Sequence, residues 1–210
     1  MTNNGFFTPT REAEFELREK RSRFIARVFP VADARRAAEL TESVRAKHRA
    51  ARHNAWAYVL ADGAARHSDD GEPQGTAGAA AAEHLARGNI RGILVVVTRY
   101  FGGVLLGTGG LSRAYSGAAK GAVELSGLAL ALPKTRLAVR CDYAAAGIVG
   151  AEITRLRGVT ESSRYTEDVE ITAYFGEADA AAFSERVTEL SAGKIKPETL
   201  GEILVYSEEK

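Results

Sequence analysis

The sequence predicts an α+β protein built as two domains, residues 1–133 and 134–210, and three observations carry that prediction. Segments of alternating apolar residues are interleaved with segments whose apolar residues recur every three to four positions, the signatures of strands and amphipathic helices. The formal charge changes sign along the chain: residues 1–133 hold 18 Lys+Arg against 13 Asp+Glu, a net of +5, and residues 134–210 hold 10 against 14, a net of −4. Composition shifts at the same place, where Pro133 ends the apolar run Leu128 to Leu132 and a fresh strand pattern begins at Lys134.

The remaining composition excludes whole classes. At 210 residues the chain can bury a core without staples. Its one cysteine, Cys141, excludes an intramolecular disulfide and a Cys-cluster metal site. Apolar runs such as Ile93 to Val97 fall far short of the roughly 20 residues of a membrane helix. The segment Met1 to Gly5 has neither the basic nor the apolar part of a signal peptide. A whole-chain charge of +1 excludes a globally basic nucleic-acid coat. The expectation is a cytoplasmic protein with no membrane partner.

In chain order, Phe15 to Arg18 and Arg23 to Phe29 read as strands separated by a charged turn. Asp33 is placed to cap a helix whose Ala37, Leu40 and Val44 share a face. Asn54 to Leu60 is a strand, Thr76 to Arg87 a helix, Ile93 to Thr98 a buried strand of β-branched residues, and Leu111 to Leu125 a further helix. Past Pro133, Thr135 to Cys141 is a half-buried strand and Tyr143 to Leu156 a helix with Gly158 at its C-cap. Val159 to Tyr165 and Val169 to Phe175 form a strand pair. Asp179 then caps a helix carrying Phe183, Val187 and Leu190, which Gly193 stops, and a last strand holds Ile203 and Val205. The order βαββαβ describes a ferredoxin-like unit.

Three stretches are unlike ordinary fold-filling sequence. In Ser68 to Gly78, the carboxylates Asp69, Asp70 and Glu72 fall within four positions and repel one another unless solvated or neutralised. Thr76 is placed to cap the following helix, so the stretch reads either as an acidic site or as a solvated turn with a cap. In Thr98 to Ser116, Gly102, Gly103, Gly107, Gly109 and Gly110 lie between a buried strand and a helix, flanked by Arg99 and Arg113. Glycines admit a ligand or another backbone, and the N–H groups near Gly109, Gly110 and Leu111 with the helix dipole suit an anion. Tight strand-to-helix packing explains the same glycines, and neither a Walker loop nor a dinucleotide fingerprint is present. In the third stretch His48 and His53 are five apart and do not share a helical face, so no metal site is expected. His53 makes a hydrogen bond or faces a cleft, and Trp56 and Tyr58 belong to the core.

At these stretches the chain resembles the YigZ/Impact family. The resemblance is carried by His53-Asn54-Ala55-Trp56-Ala57, by Asp69-Asp70-Gly71-Glu72-Pro73-Gln74-Gly75-Thr76-Ala77-Gly78, and by Val97 to Gly103 with Leu106 to Tyr115. Ser22 to Ala26 fits the family's opening strand, and Ala79 to Ala82 departs from it, where Pro and bulkier apolar residues are usual. The resemblance implies a first domain like the second domain of ribosomal protein S-five and a second domain like the C-terminal domain of elongation factor G. With the +5 first domain, these folds point to a non-catalytic binding protein of the translation apparatus, acting through RNA, the ribosome or a ribosome-associated protein. No cofactor, no metal and no DNA sequence specificity is expected. The rivals are a phosphate- or nucleotide-binding enzyme using the glycine and acidic loops, and a protein-interaction module without nucleic acid.

Overall fold

The computed structural model describes residues 5–207, and the chain divides into two units, Phe6–Ala131 and Leu132–Tyr206. The N-terminal unit runs β1 (Phe6–Pro9), β2 (Ala13–Glu19), β3 (Ser22–Pro30), α1 (Ala34–Lys47), β4 (His53–Val59), β5 (Ala65–Ser68), α2 (Gly78–Arg87), β6 (Ile93–Tyr100), α3 (Gly107–Leu125) and the opening residues of β7 (Leu128–Cys141). Its five-stranded sheet has the order β2-β3-β6-β4-β5, every neighbouring pair antiparallel. Central strand β6 is covered on both faces, which is why it is a β-branched run and not an alternating one. Ile93, Val95 and Val97 join the cluster under α2 and α3, with Phe24, Leu85 and Tyr115. Leu94 and Val96 join Phe29, Val44 and Tyr58 under α1. Each such side chain, fully buried, contributes roughly 1.5–3 kcal/mol. Trp56 stacks on Tyr58 with ring centroids 5.8 Å apart, within the α1-side layer. Asp33 caps α1 as expected, its carboxylate accepting from the Arg36 N–H at 2.8 Å.

The C-terminal unit continues β7 and adds α4 (Tyr143–Arg155), β8 (Val159–Tyr165), β9 (Val169–Phe175), α5 (Glu177–Leu190) and β10 (Glu198–Ser207). Its strands lie in the order β10-β7-β9-β8. Leu137, Val139 and Cys141 of β7 and Ile171, Ala173 and Phe175 of β9 bury against Val149, Ile153, Phe183 and Val187 of the two helices. Phe175 and Phe183 stack at 4.6 Å. Two antiparallel sheets with helices in two units make this an α+β protein.

Several local expectations are corrected. No new strand starts after Pro133: β7 runs unbroken from Leu128 through it. The β1 register ends at Ala131 and the β9 register starts at Thr135, so the missing proline N–H costs neither ladder a bond. Helix α3 begins at Gly107, not Leu111, so Gly109 and Gly110 lie in its first turn and the Leu111 N–H falls within the helical ladder. Thr76 does not cap α2: its hydroxyl donates to the Pro73 carbonyl at 2.6 Å, and the N-cap position is Ala77. Asp179 sits in the first turn of α5 and accepts from Arg157 at 3.2 Å, while Gly176 is the N-cap. At the end of α4 the left-handed residue is Arg157 (φ 55), and the Gly158 N–H closes the turn on Ile153 O at 2.8 Å. Gly158 is demanded by packing, because a Cβ there would meet Phe175 Cε1 at 2.2 Å. Strands β1 and β5 were not foreseen; each has only four residues and no alternation to read.

Candidate functional site

The acidic stretch connects β5 to α2, and each of its carboxylates has internal partners. Asp69 is the cap that Thr76 is not: it accepts from the N–H groups of Gly75 (2.7 Å), Ala77 (3.0 Å) and Ala79 (3.2 Å) at the start of α2. Burial alone would raise its pKa, but these three donors outweigh burial and hold the carboxyl below its ordinary value. Asp70, in the left-handed region at φ 47, accepts from Arg45 Nη2 of α1 at 2.8 Å and from the Asn54 N–H at 2.7 Å. Its carbonyl accepts from His53 Nδ1 at 2.8 Å, which is the role the structure gives His53. Asn54 in turn accepts from the Thr98 hydroxyl at 2.7 Å, tying β4 to β6.

Glu72 reaches the other motif. Its side chain is 3% exposed and faces Arg99, 7% exposed, with Nη1 2.8 Å from Oε1 and 3.1 Å from Oε2. Tyr115 of α3 donates to the same Oε1 at 2.8 Å. Burial, and then the neighbouring Glu72 charge, push the Tyr115 hydroxyl far above its usual range, so it stays a donor. Arg99 Nε is buried without a hydrogen-bond partner, and the guanidinium lies over Phe24 (5.5 Å) and Phe101 (5.4 Å). The acidic and glycine loops therefore meet through Glu72 and Arg99, whereas Asp69 and Asp70 serve α2, α1 and β4.

The glycine loop leaves β6 at Tyr100 and is seated on the β2–β3 turn. Gly102 N–H donates to Ser22 Oγ at 3.2 Å, and a Cβ on Gly102 would stand 2.0 Å from the Arg21 carbonyl carbon. Only glycine permits that approach. Beyond the seat the chain opens. Gly103 (φ 82) and Gly107 (φ 71) have nothing within 4 Å of a notional Cβ, and Phe101, Val104 and Leu105 are 52%, 38% and 83% exposed. Helix α3 starts with no acidic residue in its first turn and no side-chain cap on Leu106, leaving its leading N–H groups open. Arg113 is exposed one turn and a half further on and, like Lys20 and Arg21, has no carboxylate within ion-pair distance among the described residues. No Asp or Glu lies between Glu83 and Glu124.

Arg45, Ser22, Asn54 and Tyr115 were not anticipated. Ser22, Asn54 and Tyr115 lie in the stretches that carry the family resemblance, and Tyr115 had a physical signal too, a tyrosine amid the buried positions Leu111, Ala118 and Ala122 whose hydroxyl needs a partner. His48 Nδ1 lies 2.9 Å from the Tyr100 hydroxyl while its Nε2 is buried without a partner. No group of three or more His, Cys, Asp or Glu among the described residues could hold a metal ion.

Comparison with known proteins covers both units. Residues 20–123 match the model described as the Impact N-terminal domain, and residues 139–194 match a domain of unknown function, DUF1949. YvyE, an IMPACT family member from Bacillus subtilis (strain 168), is 34% identical over 193 residues, which span 91% of this chain and 89% of its own. YigZ, an IMPACT family member from Escherichia coli (strain K12), is 34% identical over 181 residues, 84% of this chain and 89% of its own. A crystal structure of a hypothetical protein is 31% identical, covers 98% of both chains and superposes with a TM-score of 0.60.

Proposed function

The chain belongs to the IMPACT family, and on that premise we propose that it is a non-catalytic binding protein of the translation apparatus that grips RNA through its N-terminal unit. One observation carries the reading: the β2–β3 turn holds Lys20 and Arg21, and the start of α3 beyond the open glycine loop holds Arg113, without carboxylate partners among the described residues, while Asp69, Asp70 and Glu72 of the acidic stretch are each engaged internally. Uncompensated cations beside open backbone N–H groups favour phosphate. An enzyme reading would need Asp69, Asp70 or Glu72 free to act as a base or to hold a metal, and each already has two or three donors.

The finer fold reading belongs here too. The N-terminal unit is read as resembling the second domain of ribosomal protein S-five, and the C-terminal unit as ferredoxin-like and akin to the C-terminal domain of elongation factor G. The order βαββαβ with strands arranged β10-β7-β9-β8 supports the latter. We read the cytosol as its place of action; no helix among the described residues is long and apolar enough to cross a membrane.

The test is fluorescence anisotropy of labelled RNA across a salt series. Wild type binds at low salt, and Arg113→Ala weakens binding across sequences and lowers the salt slope by about one. Absence of binding by wild type at low salt refutes the reading.

A further inference from the structure

Phe101 is large, apolar and half exposed, and yet it is held in place. Its ring lies over the Arg99 guanidinium at 5.4 Å, and Arg99 is fixed by Glu72 below it. The next residue, Gly102, is pinned to the β2–β3 turn by the Ser22 hydroxyl and by a backbone approach that excludes any side chain. An exposed loop aromatic normally loses rotamer freedom when it binds; here the Arg99 contact and the seated backbone of Gly102 reduce that loss. The ring remains 52% accessible, next in sequence to a segment whose Gly103 has open space around it.

Charge selects the occupant. The turn under Gly102 is Lys20-Arg21, both residues exposed and both in the left-handed region at φ 43 and φ 67. No acidic residue lies on the loop or on α3 before Glu124. A flat aromatic face, braced by Arg99 and beside a turn in which Lys20 and Arg21 outnumber the exposed Glu19, matches a nucleobase carried on a phosphate chain, in which the base must be unpaired for its face to be free.

Building on the proposed RNA binding, we infer that Phe101 is a stacking platform for an unpaired base of single-stranded RNA, with Lys20 and Arg21 of the adjoining turn supplying the cationic surround. The platform prefers purines, because stacking strength and not edge hydrogen bonding sets its choice.

The experiment compares oligoadenylate, oligouridylate and their duplex against wild type, Phe101→Leu and Phe101→Trp, with melting temperatures measured in parallel. Phe101→Leu lowers affinity for oligoadenylate by roughly 5- to 100-fold. Its salt slope stays at the wild-type value, since a ring contact releases no counterion. Phe101→Trp retains affinity, and oligoadenylate quenches the added indole fluorescence. Duplex affinity changes in neither variant. Equal single-strand affinity of wild type and Phe101→Leu overturns the platform while leaving RNA binding intact, and absence of RNA binding by wild type overturns the proposed function itself. Binding to phosphatidylserine-containing vesicles that Phe101→Leu abolishes, with RNA binding untouched, would assign the ring to a lipid surface and overturn the inference.

Discussion

Replacing Glu72 by Gln removes one charge from the N-terminal unit and almost no volume. The amide oxygen can still accept from Tyr115, so the hydrogen bond now measuring 2.8 Å survives and the change isolates the ion pair. Arg99 is left 7% exposed with its Nε already unpartnered, and solvent cannot take over. Stranding a buried charge in this way costs about 3–5 kcal/mol. In a unit spanning residues 6–131 that corresponds to a fall in Tm on the order of 10–20 °C. The one tryptophan, Trp56, lies in β4, so its fluorescence during a urea or thermal melt follows the unit in question. The double variant Glu72→Gln/Arg99→Met removes both charges and should recover most of the loss, because a neutral pair of similar shape has no charge to strand. A Glu72→Gln protein within about 1 kcal/mol of wild type would refute the claim that this pair is buried and mutually dependent.

Two further changes test the local assignments. Asp69→Ala should cost about 1–2 kcal/mol at neutral pH by uncapping α2, with Thr76→Ala costing less. Because the folded Asp69 pKa is depressed, its contribution is complete above the ordinary value of 3.8 and is lost as pH falls through the lower folded value; urea melts in acid should find Asp69→Ala less pH-dependent. His48 is also depressed from 6.5, by burial first and then by the Arg27 charge, so the fold favours the neutral ring. Its contribution is complete above about 6.5 and declines as pH drops through the folded value, and His48→Asn should flatten that part of the stability curve; unchanged curvature would show that the ring is solvated.

Periodicity made the long elements readable, and it failed wherever the decisive partner lay elsewhere in the chain. Strand β6 and helix α1 announce themselves through β-branched content and through the Asp33 cap. The start of α3 was hidden because Gly-Thr-Gly-Gly reads as a turn: each glycine disfavours helix by about 1 kcal/mol, and context overrides that preference. Asp69 was visible as a carboxylate, but its service to N–H groups eight and ten residues later depends on how the intervening loop turns back. The crowding of Asp69, Asp70 and Glu72 correctly signalled a need for neutralisers. Arg99 was in reach of the sequence as a cationic partner, and the structure pairs it with Glu72, whereas naming Arg45 on α1 needed the topology that brings helix and loop together.

Cys141 closes the core of the C-terminal unit at 5% exposure, and burial, then the charges of Asp142 and Asp168, push its thiol pKa upward. A thiol so placed is inert to alkylating reagents until the surrounding packing opens. Because it is the sole thiol of the chain, its modification rate in native buffer counts the openings of that unit directly, with no background from other sites. Paired with Trp56 in the other unit, it gives the natural sequence two independent clocks, one optical and one chemical, for asking whether a change of conditions or a substitution loosens one unit or both.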